Sequence, residues 1–205
     1  MADGYHHGNL RAAVLARAAE VIEQKGPYAF SLRSLAADLG VSHTAPRYHF
    51  GSREGVLNAL ATEGYTELAD RLRANREADG GFLESGVEYV RFATEFPAHF
   101  QVMFAPTLLD ENDPELFAAR TAAFGELSSG VESLAQEGRP VEDAAAGLVA
   151  GWGIVHGIAT LALTGNLDSS GVRALLGDAD LLTITRRSAG LLFGASGPPT
   201  EPAQE

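Results

Sequence analysis

His43, Thr44, Arg47, Tyr48 and His49 place five hydrogen-bonding or stacking side chains within seven consecutive residues. A helix built only to pack shows an apolar stripe backed by solvated charges. This stretch instead offers groups suited to base edges and phosphates. His43, Thr44 and Ala45 come first along the helix, where base edges are reached. Thr44 and Ala45 suit thymine methyls, while Arg47 suits a guanine edge or a phosphate. Ser31, Arg33, Ser42, Tyr48, His49 and Arg53 suit contacts that position the sugar-phosphate backbone. Phe50 reads as core. Upstream, His7, Gly8 and Asn9 form an arm and helix start whose backbone N–H groups could meet phosphates.

These residues need elements to hold them. Leu32, Leu35, Ala36 and Leu39 fall at helical spacing and give one short helix an apolar face. Gly40 stands where a helix end favours positive φ, and Ser42 is a suitable N-cap for a second helix starting at His43. A helix, a short glycine-containing turn and a second helix make a helix-turn-helix, whose second helix enters the DNA major groove. Ser52 then caps a third helix.

The run LRSLAADLGVSHTAPRYHFGSREGVL resembles the DNA-binding domain of the TetR family of bacterial regulators. The likeness covers the helix-turn-helix, the His49-Phe50 pair that closes its second helix, and the Ser52-Arg53-Glu54 opening of the next. Tyr5-His6-His7-Gly8-Asn9-Leu10-Arg11 is similar to the N-terminal signature of one subgroup. Trp152, His156 and Gly157 resemble the Trp-His-Gly pattern of that subgroup's C-terminal domain. The chain departs from the family where a tyrosine usually stands two positions before the histidine. Arg47 occupies that place and Tyr48 follows, rotated by about 100° around a helix, so either can take the tyrosine's phosphate contact.

The whole chain reads as helical, and the expected fold class is all-α. Residues 1–60 form an N-terminal three-helix helix-turn-helix DNA-binding domain, and residues 61–195 a C-terminal helical ligand-binding and dimerisation domain. Residues 196–205 form a disordered tail, lacking apolar anchors. Helices are expected over 10–25, capped by Asn9, and over 31–39 and 43–50. Further helices cover 52–78, 82–95, 97–104, 115–136, 141–163, 172–176 and 179–193. The stripe Leu10, Val14, Ala18, Val21 and Ile22 serves the first, and Val56, Leu57, Leu60, Leu68 and Leu72 the fourth.

A net charge of −12 appears unfavourable for binding DNA, but its distribution is uneven. Residues 1–60 hold six basic and five acidic residues, and the remainder carries a net of −13. An acidic body restricts DNA contact to the head. A head at +1 gains little from phosphate neutralisation, so two heads acting together are close to a requirement.

Residues 144–163 are twenty consecutive uncharged residues, long enough to span a bilayer. Four glycines, a histidine, acidic flanks and the absence of Lys/Arg anchors favour a buried helix of a dimer instead. The expected dimer interface is Leu148, Gly151, Val155, Ala159, Leu182, Ala189 and Leu192. In the family resemblance the last two long helices form a four-helix bundle with their symmetry mates. The aromatic residues Phe92, Phe96, Phe100, Phe104, Phe117, Phe124 and Trp152, with Met103 and His156, suggest an apolar ligand cavity.

Neither paired ligand histidines nor catalytic motifs are found: His43 and His49 lack helical ligand spacing, and no nucleophile elbow, HExxH or phosphate loop occurs. The expectation is a non-enzyme with no metal and no cofactor. Its partners are double-stranded DNA, an unknown small-molecule effector and a second copy of the chain, with no membrane. Lack of cysteine and of a signal-peptide core points to the cytoplasm. The resemblance implies a repressor released from a palindromic operator by a small apolar ligand. A DNA-binding dimer without an effector, or a helical enzyme, are the alternatives.

Overall fold

A computed structural model describes residues 7–136 and 143–193. Among the described residues every regular element is helical: α1 (His7–Lys25), α2 (Leu32–Asp38), α3 (Ala45–Phe50), α4 (Arg53–Glu77), α5 (Phe82–Glu95) and α6 (Pro97–Met103) come first. A 3₁₀ turn (Pro106–Leu108) leads to α7 (Pro114–Gln136), α8 (Ala144–Leu163), α9 (Asn166–Ser169), α10 (Val172–Leu176) and α11 (Leu181–Phe193). The all-α expectation holds. The tail at 196–205 and the start expected at Val141 lie outside the described residues.

Two compact units are present: residues up to 70 with 95–125, and residues 71–94 with those from 126 onward. The expected boundary near residue 60 falls inside α4, which continues without a break into residues of the second unit.

In the first unit, the apolar stripes meet as their spacing demands. Val14, Ala18 and Ile22 of α1 are buried with Leu35 and Ala36 of α2 and Val56, Leu57 and Leu60 of α4. Ser31 caps α2 through a reciprocal box, accepting from the Ser34 N–H at 3.0 Å while the Ser34 hydroxyl accepts from the Ser31 N–H at 2.9 Å. Ser52 caps α4 by accepting from the Gly55 N–H at 3.1 Å.

Two helix starts differ from expectation. The second helix of the helix-turn-helix begins at Ala45, not His43, and Thr44 precedes it without a side-chain cap. Pro46 explains the shift, because its fixed φ and missing N–H suit a first helical turn. Ser42 therefore caps nothing: its hydroxyl lies 3.1 Å from that of Thr44. Asn9 likewise is not a cap, since α1 already includes His7.

In the second unit, Phe82 of α5 packs with Val131 and Leu134 of α7. Val155, Ile158 and Ala159 of α8 and Ile184 and Ala189 of α11 are also buried. Glu126 accepts from Arg73 Nε at 3.0 Å and Arg76 Nη2 at 3.1 Å, tying the end of α4 to α7. Asp143 caps α8 by accepting from the Ala146 N–H at 3.0 Å. Gly165, at φ +70°, ends that helix in the left-handed region, and the short α9, absent from the sequence reading, follows.

Close approach in the first unit depends on Gly64. A Cβ there would stand 3.1 Å from the Cβ of His99 and would overlap Met103. Overpacking of this kind costs about 1–3 kcal/mol. Gly64→Ala should lower the urea midpoint accordingly; an unchanged midpoint would show that α6 yields freely.

Candidate nucleic-acid interface and ligand site

The head surface is built by a six-residue helix between two glycine turns. Gly40 and Gly51 have φ of +66° and +69°, conformations that only glycine adopts without strain. Between them, Pro46 alone of the α3 residues is buried, and it anchors the helix. His43, Thr44 and Arg47 are exposed and line an open groove of about 790 Å³ shared with Arg33, Val41 and Arg53. Tyr48 is 88% exposed and stands edge-on to His49 at 5.4 Å between centroids. Both Arg47 and Tyr48 are thus open to solvent. Ala45 is half-buried.

Three expected contacts are engaged within the fold. Ser31 is held in the capping box, and Ser42 pairs with Thr44. Arg53 donates to the Pro27 carbonyl and lies over the rings of Phe30, at 5.1 Å, and Tyr28, at 5.8 Å. It braces the loop between α1 and α2, a structural duty that a sequence shows only as a positive charge. His7, Gly8 and Asn9 lie in the first turns of α1, and their side chains fall outside the described residues.

Gly55 was not anticipated. A Cβ on it would land on the carbonyl oxygen of Phe50, the last residue of α3. Only glycine lets α4 start this close to the end of the recognition helix. The signal was present in the Gly51-Ser-Arg-Glu-Gly55 spacing, which reads as a turn without showing the contact.

The residues of the expected ligand pocket are divided between the two units. Phe96, Phe100, Met103 and Phe104 belong to the first unit, where Phe100 and Phe104 pack at 5.0 Å and Tyr65 meets Phe104 at 6.2 Å. Phe92 is buried in the second unit, while Phe117 and Phe124 are 63% and 54% exposed. Helical position explains the last two: seven residues apart, they share one solvent-facing side of α7. The second unit has a different apolar cavity of about 20 Å³, lined by Phe82, Leu83, Tyr89, Leu127, Gly151 and Val155 among others. That is room for about one water molecule.

The residues of the expected dimer interface differ in burial. Gly151, Val155, Ala159 and Ala189 are buried within the chain's own second unit. Leu148 and Leu182 are half-buried, and only Leu192 of that set is exposed. Val149 lies at the surface opposite that buried face of α8, with Trp152 and Leu161 partly exposed on its two flanks, and α11 exposes Leu191 beside Leu192.

At one edge of that side, three residues form a polar chain. The indole N–H of Trp152 donates to the Tyr89 hydroxyl at 3.2 Å, and that hydroxyl pairs with Nδ1 of His156 at 2.9 Å. Tyr89 was missed because a lone tyrosine on α5 carries no motif. Burial holds the His156 imidazole below its ordinary pKa. On acidification the unfolded chain therefore takes up that proton first, so stability falls through the window below about pH 6.5. His156→Asn, whose carboxamide can pair with the Tyr89 hydroxyl without titrating, should make the melting temperature less sensitive to pH between about 7 and 5. An unaltered pH profile would remove His156 as the cause.

Comparison with known proteins agrees with the helical architecture. A family model described as bacterial regulatory proteins, tetR family, matches residues 14–60. A second, described as tetracyclin repressor-like, C-terminal domain, matches residues 82–180. The chain is similar to a solved protein of unknown function from Rhodococcus sp. RHA1, with 31% identity and a TM-score of 0.73 over 94% of this chain and 100% of that one. A bacterial regulatory protein in the tetR family from Rhodococcus RHA1 has 22% identity and a TM-score of 0.70, over 91% and 98%. The transcriptional regulator FadR from Bacillus subtilis, solved in complex with stearoyl-CoA, has 16% identity and a TM-score of 0.65, over 90% and 99%. These last two share the fold. No curated protein matches the chain.

Proposed function

Since the chain belongs to the TetR family of transcription regulators, with a DNA-binding helix-turn-helix at its N-terminal end, we propose that it acts as a homodimeric repressor released from a palindromic operator by a small apolar effector. The observation that carries the DNA part is the exposure of His43, Thr44, Arg47 and Tyr48 on a helix fixed by Pro46 and two glycine turns. Arg47 and Tyr48 together take the phosphate and base contacts. Trp152, His156 and Gly157 support placing the chain in the Trp-His-Gly subgroup.

Dimerisation is typical of the family, and the exposed side of α8 and α11 supports it here. Val149, Trp152, Leu161, Leu191 and Leu192 leave apolar surface in water, which burial against a second copy would offset at roughly 25 cal/mol per Å². Operator recognition then needs the two heads about 34–36 Å apart.

For the effector, the small apolar cavity of the second unit favours a ligand that enters by separating α5 from α8. Gly86 sets that contact, because a Cβ on it would lie 3.0 Å from Val155. An acyl chain suits such a site by its narrowness and lack of charge, in keeping with the stearoyl-CoA bound to the Bacillus relative. A ligand that prefers the opened state shifts the population by its differential affinity. A cavity that stays at about one water's volume fits the second reading, a DNA-binding dimer with no effector.

Fluorescence anisotropy on DNA selected from a randomised duplex library tests the first part. Arg47→Ala with Tyr48→Ala should weaken specific binding by 10-fold or more, at about 1–3 kcal/mol per lost contact, with the melting temperature unchanged. Equal binding by wild type and variant would sink the assignment. Long-chain acyl-CoA should raise the melting temperature and release the DNA; no shift with any chain length would leave the effector-free dimer.

A further inference from the structure

Asn58 is the one polar side chain buried on the inner face of the first two turns of α4, at 4% exposure. Its neighbours Val56, Leu57, Leu60 and Ala61 are apolar and fully buried. Its carboxamide reaches 52 to 55 residues along the chain. Nδ2 donates to the Asp110 carbonyl at 3.2 Å and to Asp113 Oδ2 at 3.1 Å. Oδ1 accepts from the Asp110 N–H at 3.1 Å. The other Asp113 oxygen caps α7, accepting from the Glu115 and Leu116 N–H groups at 3.0 Å each. The Leu116 amide, with Asn58 and Glu115, holds the Asp113 carboxyl below its ordinary pKa.

We propose that Asn58 is a positioning residue for operator binding, fixing the rotation of α4, and with it the recognition helix, against the loop before α7. An apolar side chain would fill the same space and permit α4 to turn or slide, because dispersion contacts have no direction. A carboxamide with donor and acceptor both engaged permits one arrangement. That arrangement passes directly to α3, because Gly55 brings the start of α4 against the Phe50 carbonyl without a spacer. Asp113 completes the clasp by holding α4 and the first turn of α7 with its two oxygens. This role rests on reading the head as the operator-binding part.

The test uses the full chain and duplex DNA selected from a randomised library with the wild-type protein. Asn58→Leu keeps the volume and removes the hydrogen bonds. Asp113→Asn keeps an N-cap for α7 but turns an amide against the Asn58 amide. Each should lower affinity for the selected duplex by roughly 10-fold, inside the 5–150-fold range typical of coupled sites. Binding to unrelated DNA, its salt slope and the far-ultraviolet circular dichroism should stay unchanged. Wild-type affinity in both folded variants overturns the proposal, as does a parallel loss of specific binding, non-specific binding and folding. If wild type selects no DNA at all, the operator reading itself falls, and this role with it.

Discussion

The recognition helix cannot hold itself together, and most of the first unit exists to do so. Six residues are far below the length at which an isolated helix is stable in water, roughly 12–15 residues. Only Pro46 of α3 is buried, so α3 contributes little apolar area of its own. Its order is therefore borrowed from the core where Val14, Ile22, Leu35, Val56, Leu57 and Leu60 meet. Because that core takes the inner faces of α1, α2 and α4, the short helix is left with its polar groups outward. Stability and recognition are thus divided between different residues, and the surface ones are free to vary in chemistry.

Around this core, a few directional contacts remove the remaining freedom. The Ser31–Ser34 box fixes where α2 begins. Arg53 clamps the α1–α2 loop from below, using its guanidinium plane on two rings and its N–H on a carbonyl. Arg11 lies over the Phe50 ring at 5.5 Å and near Glu63 at 4.0 Å, so α1 also touches the end of α3 and the middle of α4. A charged residue in such a head is not automatically a ligand for phosphate. Arg47 is solvent-facing, whereas Arg53 is already engaged by its own fold.

What the sequence disclosed followed from how directly each pattern maps onto a single element. The stripes of α1 and α4 predicted their buried residues because a 3.6-residue period is local information. The helix-turn-helix was legible for the same reason, down to its glycine turn, and only the start of α3 moved, since a proline outranked a serine cap. Patterns requiring knowledge of orientation are less legible. The α8 sequence is uncharged all round, so nothing in it says that Gly151, Val155 and Ala159 are the residues that meet the chain's own core. The aromatic cluster was drawn from composition, which cannot distinguish Phe92, buried, from Phe117 and Phe124, exposed on one side of α7. Asn58 and Tyr89 act through partners distant in sequence, which leave no local trace.

The polar chain on α8 also gives the molecule an optical property. Trp152 is the sole tryptophan, it is 37% exposed, and its indole donates to Tyr89 on another helix. All tryptophan emission therefore originates at one spot, on a partly exposed side of α8 and one hydroxyl away from a titratable imidazole. Covering that side would take water from the indole and move the emission to shorter wavelength, while charging His156 would place a quencher beside it. The intrinsic fluorescence of this chain is in effect a single-site readout of α8, requiring no label.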